Sequence, residues 1–252
     1  MQQRKYTGRR IEEMALNAWP APRQILYDGW LVRLGGGYTK RANSVNLLYP
    51  GHLDLREKVN WCETFYRQAG QPAIFRLTSL DETAALDRLL ANRGYTRIAP
   101  SSVLVSPSRP RPDETGGKSG CLKNLGLDHW LDLFHRYSET VDRQKERHRA
   151  ILEHIATQRW LVALMHDERP VACGMAVREG DCLGLFDLVT DPDNRRQGHG
   201  RRLMHLLMDR AARRGVDTLY LQVVDANRPA GSLYTGLEFK TLYRYWYRVA
   251  PA

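Results

Sequence analysis

Arg195-Arg196-Gln197-Gly198-His199-Gly200 is the stretch whose residue types and spacing point most directly to chemistry. An apolar run, Leu183 to Val189, precedes it and ends in the turn Asp191-Pro192-Asp193-Asn194. An amphipathic helical pattern opens directly after it. Glycines let the backbone approach a ligand, and the free N–H groups and dipole of a starting helix favour an anion. The expected chemistry is phosphate binding, with backbone donors from Gly198, His199 and Gly200. A second phosphate-loop candidate, Gly117-Lys118-Ser119, fails on spacing, because Pro112 stands where the pattern needs glycine.

The elements around the loop follow from periodicity. Leu203, Leu206, Leu207 and Ala211 share one face of a helix over residues 200–214, which Gly215 stops. Leu219 to Val224 reads as a buried strand. Asn227-Arg228-Pro229-Ala230-Gly231-Ser232-Leu233-Tyr234 follows, then Leu237-Glu238-Phe239.

Arg-x-x-Gly-x-Gly after a strand resembles the pyrophosphate loop of the GNAT N-acetyltransferases. Asn227 to Phe239 is similar to that family's second signature, with Glu238 where the family usually has glycine. The two signatures span residues 183–239. The resemblance implies acetyl-CoA as cosubstrate, its phosphates held by Arg195, Arg196, Gln197, Gly198, His199, Gly200 and Arg201. It places Asn227 on the cofactor arm and makes Tyr234 the acid that protonates the leaving thiolate. Backbone N–H groups of Leu188 and Val189 would polarise the thioester carbonyl. Asp187 stands near where such proteins often place a base that takes the proton from the acceptor ammonium; the alternative is a hydrogen-bonded strand residue. His199 is expected to act through its backbone.

The chain has 252 residues with 42% hydrophobic and 26% charged content, enough for one large or two ordinary globular domains. No apolar run approaches a membrane span, and no apolar signal core follows Met1 to Tyr6, so the expected location is cytoplasmic. Four scattered cysteines and eight histidines make no metal spacing, so no metal is expected. The net charge of +10 is shared between both halves. With no helix-turn-helix, zinc-finger or RNA-binding signature, it does not argue for nucleic acid.

Residues 106–120, rich in Pro, Gly, Ser and charge, read as a linker between a domain over 1–105 and a domain over 121–252. In the first half, helices are expected over 9–18, 55–68 and 86–95, and strands over 26–34, 43–49 and 73–77, with a turn at Gly35-Gly36-Gly37. In the second, helices are expected over 127–137 and 141–156, the latter with a solvated face. A hairpin joins 160–165 to 171–178, and the last strands lie in 237–249. Strand, helix and Gly-aromatic at 73–95 mimic 219–239, with Tyr95 on Phe239 and Leu90 on Tyr234. Only Pro50-Gly51-His52-Leu53-Asp54 stands where the first half would need a phosphate loop. The fold expected is α/β with a mixed sheet, as tandem GNAT folds of which the N-terminal one is degenerate. Ala18-Trp19-Pro20, Asp28-Gly29-Trp30 and Arg41-Ala42-Asn43 resemble a pattern of bacterial two-domain GNAT proteins. They build part of an acceptor site or domain interface, or they are core aromatics with Arg41 in an ion pair; the usual burial of Trp favours the core.

The expected function is acetyl transfer to a primary amine of a small or amino-acid-like acceptor. The alternatives are a non-catalytic acyl-CoA sensor and a protein or peptide N-acetyltransferase. A monomer or a homodimer is expected, the latter through strand exchange or edge pairing.

Overall fold

The computed structural model describes residues 7–108, 120–139 and 142–251. Most of the expected linker, the Gly117-Lys118-Ser119 motif and the first six residues lie outside that range. Helix α1, Gly8–Asn17, starts where the Thr7 hydroxyl accepts the Arg10 N–H. The apolar run around Trp30, expected as one strand, is two: β1, Arg23–Tyr27, and β2, Trp30–Leu34. Asp28 and Gly29 divide them, both at positive φ (42° and 84°), as a tight hairpin turn requires. The Asp28 carboxylate accepts the His52 and Leu53 N–H groups and pairs with Lys58 at 3.0 Å, which pins the turn.

Strand β3, Val45–Leu47, helix α2, Leu55–Gln68, strand β4, Ile74–Thr78, and helix α3, Ala84–Asn92, follow close to expectation. Then comes a strand without an expected counterpart, β5, Thr96–Pro107. Ser101 to Leu104 is buried, two serines included, whereas Thr96 to Pro100 is exposed or half-buried, so no apolar periodicity marks the strand. Ser106 and Pro107 close this strand rather than open a loop.

The second half begins with another unexpected strand, β6, Cys121–Asn124. It continues with α4, Leu127–Ser138, and α5, Asp142–Glu153. Strands β7, Gln158–His166, and β8, Arg169–Glu179, form the expected hairpin, with Asp167 and Glu168 at positive φ. Strand β9, Cys182–Thr190, leads through the phosphate-loop candidate into α6, His199–Arg213. Strand β10, Thr218–Val224, helix α7, Arg228–Thr235, and strand β11, Lys240–Val249, complete the chain.

The described strands make one mixed eleven-stranded sheet in the order β1-β2-β3-β4-β11-β5-β10-β9-β8-β7-β6. The halves do not sit side by side. The last strand of the second half, β11, lies between β4 and β5 of the first, and β5 lies between β11 and β10. Helix α1 crosses as well. Ile11, Met14 and the following Trp19 share a core with Trp130, Ile151 and Phe186, while Arg10 and Asn17 bond Glu179 at 2.8 and 3.0 Å. Two further cores fill the faces under α6 and α7 and under α2 and α3.

The crossing is fixed by buried polar groups. Glu12 of α1 pairs with Arg76 of β4 and accepts the Tyr243 hydroxyl of β11. Arg33, 1% exposed, donates to the carbonyls of Leu16, Trp19 and Arg41. Burial lowers its guanidinium pKa to about 10. Among the described residues, no helix is long and apolar enough to cross a membrane, and no group of His, Cys, Asp and Glu could hold a metal.

Candidate active site

The loop after β9 is built to leave donors open. Asp191 starts a short turn over Pro192–Asn194 by accepting the Asp193 N–H. Arg195, Arg196 and Gln197 are then exposed, and Gly198 caps α6 at φ 85° with no side-chain hydrogen bond. A Cβ on Gly198 would meet nothing within 4 Å, so the space in front of the helix is free. The first intrahelical bond runs from the Arg202 N–H to the Gly198 carbonyl, so the N–H groups of Gly200 and Arg201 have no intrahelical partner. The His199 side chain is buried, 5.3 Å from the His166 ring. Helix α2 differs at its corresponding end. There Asp54 caps the helix with its own carboxylate, which accepts the Arg56 and Glu57 N–H groups.

Strands β9 and β10 run parallel only from Cys182↔Thr218 to Leu185↔Leu221, and beyond that they part. At the same point β9 bulges. Cys173 pairs with Val189 and Met175 with Phe186, so Asp187 and Leu188 together face the single residue Gly174. A bulge leaves one residue out of the ladder and re-aims its side chain. Asp187 takes φ 50°, a conformation that Asp tolerates better than most residues. The Leu188 side chain covers Gly174: a Cβ there would come within 2.5 Å of it, so only the Leu188 backbone is left to face the gap.

The Asp187 carboxylate meets His148 Nε2 at 3.0 Å, and His148 Nδ1 meets His135 Nε2 at 3.1 Å. A carboxylate oxygen accepts, so the His148 Nε2 hydrogen points to Asp187, while the direction between His148 Nδ1 and His135 Nε2 depends on the tautomer. Burial and the neighbouring His148 lower the His135 pKa to about 4, so it is neutral at pH 7. The first half supplies the rest of this wall. The Tyr38 ring stacks on His148 at 4.8 Å, and Trp19 lies 5.5 Å from His148 and 6.0 Å from Phe186. Arg41, expected as an ion-pair partner, instead lies over Trp19 at 4.4 Å.

Tyr234 faces inward from α7 with 8% exposure, and burial raises its pKa to about 12. The phenol is therefore protonated at neutral pH. Asn227 is the N-cap of α7: its side-chain oxygen accepts the Ala230 N–H at 3.2 Å. The elements converge at Gly200, where a Cβ would lie 3.4 Å from the Thr190 hydroxyl of β9 and 3.8 Å from Leu233 of α7. The Arg201 guanidinium rests against Gly236 beyond α7. Glu238 adopts φ 62°, so the chain makes the left-handed turn despite lacking glycine there.

Sequence reasoning did not single out His148, His135 and Tyr38. His148 lies in the helix expected to be mainly a charged, solvated surface, yet it is fully buried. The signal was available: His148, Ile151, Leu152 and Ile155 recur at helical spacing and are all buried. Tyr38 sits after three glycines in a stretch with no periodicity.

The family model described as "Probable histone acetyltransferase Rv0428c C-terminal" matches residues 7–248. The Uncharacterized N-acetyltransferase YobR of Bacillus subtilis (strain 168) is 26% identical over 247 residues, covering 96% of this chain and 98% of that protein. The [ribosomal protein bS18]-alanine N-acetyltransferase of Escherichia coli (strain K12) is 45% identical over 65 residues, 25% of this chain and 44% of that protein. Among solved structures, a GCN5-related N-acetyltransferase from Kribbella flavida superposes with a TM-score of 0.72 at 14% identity, covering 97% of this chain and 95% of that one. Sequence and fold thus agree over nearly the whole length, and the chain belongs to this acetyltransferase family, within the GNAT superfamily.

Proposed function

We propose that the chain transfers an acetyl group from acetyl-CoA to the primary amine of a small, amino-acid-like acceptor by direct attack. The observation that carries this reading is the parting of β9 and β10 at the Asp187 bulge, with the start of α6 at Gly200 set against Thr190 at the end of β9. The anionic end of acetyl-CoA fits the loop, because a Cβ on Gly198 would meet nothing within 4 Å and the backbone N–H groups of Gly200 and Arg201 have no intrahelical partner. The first half would not bind it in the same way, since Asp54 fills the start of α2 with a carboxylate. One acetyl-CoA site per chain follows.

In the proposed reaction, Asp187 takes a proton from the acceptor ammonium, and the neutral amine attacks the thioester carbon. Backbone N–H groups at Leu188 and Val189 stabilise the oxygen as charge develops on it. The carbon–sulfur bond breaks, the thiolate takes the Tyr234 proton, and the second proton lost from the acylated nitrogen passes to solvent, from which Tyr234 is reprotonated. His148 holds Asp187 in place. Asn227 and Arg201 line the cofactor side, where the Asn227 amide is left as a donor because its oxygen is used in the cap.

Titrating the protein with acetyl-CoA in a calorimeter and then assaying transfer to an amine panel tests the reading. One saturable site and acetylated product are expected. Binding without transfer to any amine would favour an acyl-CoA sensor, and no binding would remove the reading. The local likeness to the bS18-alanine acetyltransferase favours a second reading, in which the acceptor is a peptide N-terminal amine. Faster turnover of an Ala-initiated peptide than of every small amine would select it.

A further inference from the structure

We infer that the acceptor carries an anionic oxygen group close to the amine that is acetylated, with Arg41 as its binding residue. This rests on the acetyltransferase reading above and narrows its substrate. A cleft of about 510 Å³ extends from Tyr38 and Val224, at the end of β10 beyond the parted strands, to Tyr245 and Tyr247 on β11. Among the described residues its lining includes two cations, Lys40 and Arg41, and no carboxylate.

The Arg41 guanidinium is half-buried over the faces of Trp19, at 4.4 Å, and Phe186, at 5.7 Å. Neither it nor Lys40 makes an ion pair with a described residue. A partly desolvated cation gains by taking an anion as partner. Stacking uses the face of the guanidinium and leaves its edge N–H donors, which match two oxygens of a carboxylate or phosphate. Trp19 also borders His148, which holds Asp187, and Phe186 directly precedes Asp187 in the chain. Arg41 and Asp187 thus border the same aromatic cluster, and the inference sets the acceptor's anionic group at Arg41 and its ammonium at Asp187. A polyamine would instead bring like charge to Lys40 and Arg41.

The test is a set of matched acceptors at saturating acetyl-CoA: amino acids against their amides, aminoalkyl phosphates against the corresponding amino alcohols, and a polyamine. The anionic member of a pair should have a kcat/KM at least about 10-fold higher, and the pair that shows it identifies carboxylate or phosphate. In Arg41→Gln the KM for that acceptor should rise about 10- to 100-fold with kcat nearly kept and the neutral partner unaffected; Arg41→Lys should recover part of the loss. Equal turnover within both pairs, preference for the polyamine, or an equal loss on both partners in Arg41→Gln would overturn the inference. If Arg41→Gln does not fold, the matched pairs on the unaltered protein decide alone. Acetyl-CoA binding with no acceptor turned over would instead overturn the parent reading, and this inference with it.

Discussion

In the proposed reaction Tyr234 and Asp187 make separable contributions. Replacing Tyr234 with Phe removes the hydroxyl, and with it the transferable proton, at little cost in volume. Acetyl-CoA affinity should stay the same while kcat falls about 100-fold, in the range of general acid catalysis; pre-steady-state transfer measured beside a binding titration checks this. Asp187→Asn keeps a residue that tolerates positive φ and so preserves the bulge. Its kcat/KM should fall about 100-fold at pH 7, and the loss should shrink toward pH values near the acceptor's own pKa, where the amine needs no base. A loss independent of pH would remove Asp187 as the base. Both candidates could be named from the sequence because each sits at a fixed offset from a motif. The Asp187 partners were not, since His135 and His148 meet only when α4 packs on α5, and no local spacing encodes that contact.

At the scale of elements, the turn after α7 repeats the turn after α3. The Tyr95 N–H bonds the Leu90 carbonyl and the Phe239 N–H bonds the Tyr234 carbonyl, each at 3.0 Å. The residue before each aromatic has positive φ, but it is Gly94 in the first case and Glu238 in the second. Glu238→Gly should therefore raise stability by about 0.5–1 kcal/mol, the relief of a left-handed residue less the added chain entropy. Gly198→Ala should do the reverse. Its methyl group meets no atom, so backbone strain alone should cost about 1 kcal/mol, and acetyl-CoA affinity should fall as the cap distorts. Chemical denaturation curves of both variants measure these signs. The repeat in the sequence thus pointed to a shared local geometry. The Asp28-Gly29 turn and β5 escaped notice for different reasons: the Asp-Gly pair is a hairpin signal that the apolar residues on both sides of it outweighed, and β5 shows no period-2 alternation, its Ser101 to Leu104 being buried without a break.

For the whole molecule, stability should fall on mild acidification. His135 is neutral in the fold, with a pKa of about 4 against about 6.5 in the unfolded chain. The unfolded state therefore binds the extra proton first. The contribution is complete above pH 6.5 and is lost as pH falls from there through 4. Asp28, lowered to about 2 by the His52 and Leu53 N–H groups and by Lys58, adds a further loss only below about pH 4. Denaturation midpoints at pH 7.5, 6 and 5 should decline, and His135→Gln should flatten that decline. The interleaved sheet also implies one cooperative unit. Probes beside Trp30 and beside Trp160 should report the same unfolding transition, and two separate transitions would contradict the shared sheet.

The position of β11 carries a consequence for how the protein is made. Of the eleven strands it is the last to be synthesised, yet its seat is between β4 and β5, which are made much earlier. Until it arrives, the nascent first half has two bare strand edges facing an empty slot, the kind of edge that invites wrong partners. Closing that slot joins segments more than a hundred residues apart, a slow step by loop entropy. The growing chain therefore waits, half-finished, for its final strand, and yield in the cell should depend on what shields those edges meanwhile.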